Sequence, residues 1–156
     1  MKYLLANPYL VILTRVFLGL LFVVVSIEKI VEPAAFAQSI ANYKIFSFST
    51  SLVLATFIPW LELVCGLCLI AGLLLRGSSL LVSLLVAVFT VAVLSAVLRG
   101  LDIACGCFTQ DPTVGKVGWM KITQNLSLLA LSIYLYFSTS DRFSVEAYLR
   151  GKPLEQ

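Results

Sequence analysis

The chain has 156 residues, of which 60% are hydrophobic and 12% are charged, and its formal net charge is +3. Soluble globular proteins are about 45–50% apolar and about 25% charged, so this composition excludes a soluble domain and indicates an integral membrane protein. The charge is modest and forms no basic cluster, which argues against nucleic acid as a partner. The sequence contains no histidine, so we expect neither haem nor a metal cofactor.

Four apolar segments are long enough to cross about 30 Å of hydrocarbon at about 1.5 Å per residue. The first is too long for the core of a signal peptide and no small-residue cleavage site follows it, so we interpret it as a retained span. The whole chain is therefore predicted to be one all-α domain, a bundle of four transmembrane helices over residues 9–28, 52–75, 78–98 and 119–138.

A short amphipathic helix is predicted between the first two spans. Pro33 suits the first position of a helix. Phe36, Ile40 and Tyr43 follow at a spacing that places them on one helical face. Such a helix would lie in the membrane interface, either as an ordinary connection or as a lid over a site beneath it.

Two ionisable residues lie inside the apolar spans. Arg15 is in the first span and Glu62 is in the second, where a charge must be paired or hydrated. Glu62 is interpreted either as half of a buried ion pair that fixes helix register or as a proton carrier. Arg15 is its candidate partner, although their predicted depths differ by ~10 Å.

The second span also carries a pair of cysteines. Cys65 and Cys68 share one helical face, about one turn beyond Glu62. They are either packing residues or a second redox pair that passes electrons to a quinone in the bundle. Trp60 is an aromatic residue of the kind that anchors a span at the interface. We assign the candidate quinone-binding role to Cys65, Cys68, Arg15 and Trp60.

The segment between the third and fourth spans contains Cys105-Gly106-Cys107. Gly106 lacks a Cβ and lets the backbone turn tightly enough for the two thiols to approach disulfide range. A disulfide across so short a ring is strained and easily reduced, which favours an oxidant. Cys105 and Cys107 are therefore candidate catalytic residues, with Glu62 as a third. An inert structural bridge, two buried free thiols and a soft-metal site remain as alternatives.

Charge does not orient the bundle, because the basic residues in the loops, in the termini and at the ends of the spans divide five and five between the two sides. A thiol pair that works through disulfides belongs on the oxidising face of a membrane. We therefore predict a bacterial inner membrane protein with both long loops outside and both termini in the cytoplasm.

Several strings of the sequence resemble one known family. They are RVFLGLLF at 15–22, EKI at 28–30, PAAF at 33–36, PWLEL at 59–63 and CGCF at 105–108. Together they resemble the MauE-like branch of the DoxX membrane protein group, and the resemblance covers nearly the whole chain. It implies a four-helix membrane bundle that associates with periplasmic thioredoxin-like proteins and takes part in disulfide formation. The bundle is also similar to that of vitamin K epoxide reductase, which pairs cysteines with a quinone.

These features lead us to expect a membrane thiol–disulfide oxidoreductase. Cys105 and Cys107 would exchange disulfides with a periplasmic thioredoxin-like partner, and the electrons would leave to a quinone. The alternatives are a non-catalytic membrane scaffold or assembly factor and a subunit of a quinol oxidase complex. Assembly as a homodimer is compatible with each of these functions.

Overall fold

A computed structural model describes residues 8–101 and 119–138, which fold into five helices with no strand among them. This confirms the all-α class. The helices are α1 (Pro8–Val31), α2 (Pro33–Asn42), α3 (Phe48–Ala71), α4 (Leu75–Leu98) and α5 (Trp119–Phe137).

Three of the described helices, α1, α3 and α4, are long and apolar enough to cross a membrane. Each has 24 residues, which is about 36 Å of helix at the usual rise and more than the hydrocarbon core requires. Their outward faces carry large exposed apolar side chains, among them Leu13, Phe17, Phe57 and Val88. Exposure of such a surface to water is unfavourable, whereas lipid tails can cover it. The chain is therefore a multi-pass membrane protein.

The turn between α3 and α4 lies earlier in the chain than the sequence predicted. The predicted spans leave only Arg76 and Gly77 for this turn, but α3 ends at Ala71 and α4 begins at Leu75. Gly72 adopts the left-handed conformation with a φ of 72°. The N–H of Leu73 donates to the Cys68 carbonyl at 2.9 Å and that of Gly72 to the Leu69 carbonyl at 3.2 Å. These bonds form a Schellman motif, which ends the helix at Gly72.

Helices α1 and α3 cross in backbone contact at two glycines. A Cβ placed on Gly66 would lie 2.9 Å from the carbonyl oxygen of Gly19, and one on Gly19 would lie 2.8 Å from the carbonyl oxygen of Gly66. Small residues at a crossing let two membrane helices approach closely. This contact fixes which residues of α1 and α3 lie at the same depth.

The remaining contacts close the bundle. Helix α5 packs mainly on α4, where the Ser83 hydroxyl donates to the Ser132 hydroxyl at 2.8 Å. Helix α2 packs across α3 through Phe36, Ala37 and Ile40, which are all buried. The bundle therefore has one end that is covered by α2.

Candidate functional site

A buried ion pair joins α1 to α3. The Lys29 ammonium donates to both carboxylate oxygens of Glu62, and each N–O distance is 2.8 Å. Lys29 is 1% exposed and Glu62 is 3% exposed. A buried charge needs both an opposite charge and hydrogen bonds. The bidentate contact supplies both to Glu62.

Two phenylalanines enclose the ammonium on its other sides. The Lys29 nitrogen lies 4.7 Å from the ring centroid of Phe36 and 4.9 Å from that of Phe89. At these distances the negative face of each ring attracts the cation. Phe36 belongs to α2 and Phe89 to α4, so the ion pair is held by four helix surfaces and lies directly under α2.

The predicted ion pair of Glu62 exists, but its partner is Lys29 and not Arg15. The glycine crossing explains the difference. Glu62 lies four residues from Gly66 on the side of the crossing that faces α2, whereas Arg15 lies four residues from Gly19 on the opposite side. Eight residues of helix separate the two depths by about 12 Å. Arg15 is buried at its own level of α1.

A cavity of about 30 Å³ lies beside the ion pair. Glu62 and Asn125 are its polar lining residues. Asn125 is 3% exposed, and its Nδ2 has no hydrogen-bond acceptor among the described residues. The other lining residues are apolar, namely Leu21, Phe22, Val25, Leu85, Val86 and Phe89.

The remaining predicted residues of α3 do not meet at one place. Cys65 is a buried free thiol in the core between α1 and α3, while Cys68 is a half-buried free thiol. Trp60 is 55% exposed on the outer surface, and it does not line the cavity beside Glu62. Glu62 and Cys65 are thus on the buried side of α3, and Trp60 faces the surroundings of the bundle.

Cys105 and Cys107 lie outside the described residues, in the connection 102–118 between α4 and α5. The two ends of this connection are at the end of the bundle that α2 covers. Tyr43, Leu101 and Ile122 pack in one cluster there. The Arg99 guanidinium donates to the Tyr43 carbonyl at 2.9 Å, and burial raises the pKa of the Tyr43 phenol, which keeps it neutral. The connection therefore begins beside the C-terminal end of α2.

The family of the chain follows from a comparison with known proteins. The family model described as "Methylamine utilisation protein MauE" matches residues 7–138, and this range includes all five described helices. The chain belongs to the MauE family. The family resemblance expected from the sequence strings is confirmed at this level.

Two MauE relatives match the chain over 130 residues. The methylamine utilization protein MauE of Methylophilus methylotrophus is 26% identical, and the match covers 83% of this chain and 68% of that protein. The MauE protein of Paracoccus denitrificans is 30% identical, with 83% and 69% covered. No solved structure matches the chain at a significant level.

Sequence reasoning missed Lys29, Phe36 and Phe89 as neighbours of Glu62, and it missed the buried amide of Asn125. Lys29 directly follows the predicted first span, which ends at residue 28, so the sequence assigns it to a loop. The string EKI at 28–30 is among those that carry the resemblance to the family. A lysine at the end of one span and a lone carboxylate in the next were the available signal for an ion pair.

Proposed function

We propose that this MauE protein is a membrane thiol–disulfide oxidoreductase that oxidises a thioredoxin-like partner outside the cytoplasm. In the first step, the two thiols of the partner reduce the Cys105–Cys107 disulfide, so the partner gains a disulfide and the pair becomes a dithiol. In the second step, the dithiol passes two electrons and two protons to a quinone, which becomes a quinol. The names of the relatives suggest that the oxidised partner serves methylamine utilisation.

The observation that carries this proposal is the place of the Cys-Gly-Cys string in the chain. It lies in the connection between α4 and α5, whose ends are at the α2 end of the bundle. The buried Lys29–Glu62 pair lies under α2 at that same end. The thiol pair of this connection supplies the redox step, because a disulfide across so short a ring is easily reduced, and the buried ionisable pair supplies a group that can bind protons.

The membrane arrangement is part of the proposal. Helix α5 serves as the fourth span beside α1, α3 and α4, so both termini share one side of the membrane. Helix α2 lies in the interface as a lid, with the buried face that contains Phe36 and Ile40 turned towards the bundle. The protein sits in a bacterial inner membrane with α2 and the thiol pair outside.

The quinone would approach from the lipid. The cavity of about 30 Å³ beside Glu62 has room for molecules of the size of water, so a quinone ring needs a different position. Trp60 is exposed on the outward face of α3, one to two turns from Cys65 and Cys68. We propose that this face of α3 binds the quinone, with Glu62 on the opposite, buried side of the helix as the proton-binding group of the bundle.

Replacing either cysteine of the pair is expected to abolish disulfide exchange without unfolding the protein. Cys105→Ser and Cys107→Ser each remove one sulfur of the reactive bond. The closed ring is so short that the bond restricts the unfolded chain little, so the melting temperature should fall by only about 3–6 °C, the size of a small loop-entropy effect. The measurement is the rate at which purified protein oxidises a reduced thioredoxin-like domain in detergent.

Cys68→Ser is the matched control for a single turnover without added quinone, because it replaces a free thiol outside the connection. It should exchange disulfides with the partner at the rate of the unaltered protein. If Cys105→Ser or Cys107→Ser greatly lowers the yield of folded protein, and the fraction that folds still exchanges disulfides, the pair is a structural disulfide and the scaffold function is correct.

The proposed orientation predicts that a thiol reagent outside the cell reaches Cys105 and Cys107. After mild reduction of intact cells, a membrane-impermeant maleimide should label Cys105 or Cys107, because the connection faces the oxidising side. The labelling is read by mass spectrometry, with Cys65 as the buried internal reference. Labelling that appears only after the membrane is permeabilised would reverse the orientation.

A further inference from the structure

Asn125 is a buried polar side chain that the ion pair and the packing of the bundle do not explain. It lies on α5 and lines the cavity beside Glu62. Its Nδ2 group is fully buried and has no acceptor among the described residues. Buried amide groups in folded proteins nearly always have a hydrogen-bond partner. An amide that lines a cavity without a protein acceptor therefore points to a small ligand in that cavity.

The cavity selects the ligand by size and by chemistry. Its volume of about 30 Å³ exceeds the roughly 10–15 Å³ that a single water requires on this measure, so the space holds at least one water molecule. A stable internal water also needs two or more polar partners. The lining offers a donor at Asn125 and an acceptor at Glu62, and the six other lining residues are apolar.

We propose that this cavity is a water-binding site in which a water molecule bridges Asn125 and Glu62. The water accepts a hydrogen bond from Nδ2 of Asn125 and donates one to the Glu62 carboxylate. Each carboxylate oxygen accepts one bond from Lys29 and keeps lone pairs for another. The site thus extends the ion pair into a chain from α1 through α3 to α5.

The bridging water gives Glu62 an exchange partner for a proton. The rings of Phe36 and Phe89 lie over the Lys29 ammonium, and the cavity lies beside the Glu62 carboxylate. The water is thus a proton-exchange partner for the carboxylate inside the bundle, in addition to the Lys29 ammonium that donates to both of its oxygens. This inference concerns hydration of the ion pair and does not depend on the thiol chemistry of the connection.

Infrared difference spectra in ordinary water and in water labelled with oxygen-18 test the site directly. An internal water with few partners gives a sharp O–H stretching band that shifts with the oxygen isotope. The unaltered protein should show such a band. Asn125→Leu removes the donor and fills the space, so the band should disappear and the melting temperature should fall. Ser132→Ala, two turns along α5 and outside the cavity lining, should keep the band.

A second variant keeps both polar groups and removes only the space. Val86 lines the cavity, and Val86→Ile adds one methylene there, so it should also eliminate the band. This variant gives the answer if Asn125→Leu does not fold. The proposal is overturned if the unaltered protein shows no isotope-sensitive band, or if the band persists in Val86→Ile. A dry cavity would also make Asn125→Leu raise the melting temperature, because a buried amide without a partner would be replaced by an apolar group.

Discussion

Glu62→Gln is expected to destabilise the protein by about 3–5 kcal/mol, because it leaves the Lys29 ammonium without its counter-charge in a site from which solvent is excluded. The ammonium is 1% exposed and donates to both oxygens of the carboxylate. The contacts of the ammonium with the rings of Phe36 and Phe89 remain in this variant. They offset only a part of the lost stabilisation, since a cation–π contact supplies about 0.5–2 kcal/mol. The measurement is equilibrium unfolding in mixed detergent micelles.

Glu28→Gln is the matched control, since the same substitution is made on an exposed carboxylate next to Lys29 in the chain. We expect it to change the stability little. The double variant Lys29→Met with Glu62→Gln should recover most of the loss, because two neutral side chains of similar length replace a desolvated pair. If the losses of Lys29→Met and Glu62→Gln simply add in the double variant, the two residues are not coupled.

The double variant also separates the two roles that the sequence left open for Glu62. If the carboxylate binds protons during turnover, the folded double variant should oxidise its partner dithiol slowly, although its stability is restored. A normal rate in that variant would limit the ion pair to holding α1 against α3. In either case the partner of Glu62 is Lys29.

Gly66→Ala is expected to weaken the contact between α1 and α3 and to lower the stability by about 1–3 kcal/mol. The added Cβ would lie 2.9 Å from the carbonyl oxygen of Gly19 and 3.0 Å from a methyl of Val23. A backbone oxygen cannot rotate away as a flexible side chain can, so the helices must separate. Gly19→Ala should have a similar effect, with contacts of 2.6 Å to Ile70 and 2.8 Å to the Gly66 carbonyl.

Gly77→Ala supplies the control for helix propensity. Its Cβ would meet its nearest neighbour, the Cβ of Leu74, at 4.0 Å, and alanine is favoured over glycine in a helix by about 0.5–1 kcal/mol. It should be neutral or slightly stabilising. The double variant Gly19→Ala with Gly66→Ala should lose less than the sum of the single losses, because one separation of the helices relieves both contacts. Strict additivity would contradict a shared crossing.

The apolar lengths in the sequence located the long helices to within three or four residues. They could not place the turn between α3 and α4, because Leu73, Leu74 and Leu75 are as apolar as the helices on either side. The turn depends on the left-handed conformation of Gly72, which hydropathy does not report. Its position also changes the depth at which every residue of α4 lies.

The ion pair shows a second limit of the sequence. A lysine near the end of a span normally extends its side chain towards the interface, so Lys29 was interpreted as a loop residue. In the structure it turns inward, because the crossing at Gly19 and Gly66 brings Glu62 within its reach. Lys29 lies ten residues from the crossing and Glu62 lies four residues from it. Their backbone positions therefore differ in depth by about 9 Å, and the two side chains span this difference. Only the way in which α1 packs against α3 shows that the side chains of Lys29 and Glu62 meet.

The redox state of Cys105 and Cys107 in the presence of quinone tests the proposed function most directly. The purified protein is first reduced, then incubated anaerobically with and without a soluble quinone, and its free thiols are alkylated and counted by mass spectrometry. We expect Cys105 and Cys107 to be free thiols without quinone and a disulfide after its addition, with one quinol formed for each disulfide. If both cysteines stay reduced when quinone is present, the protein does not transfer electrons from this pair to quinone.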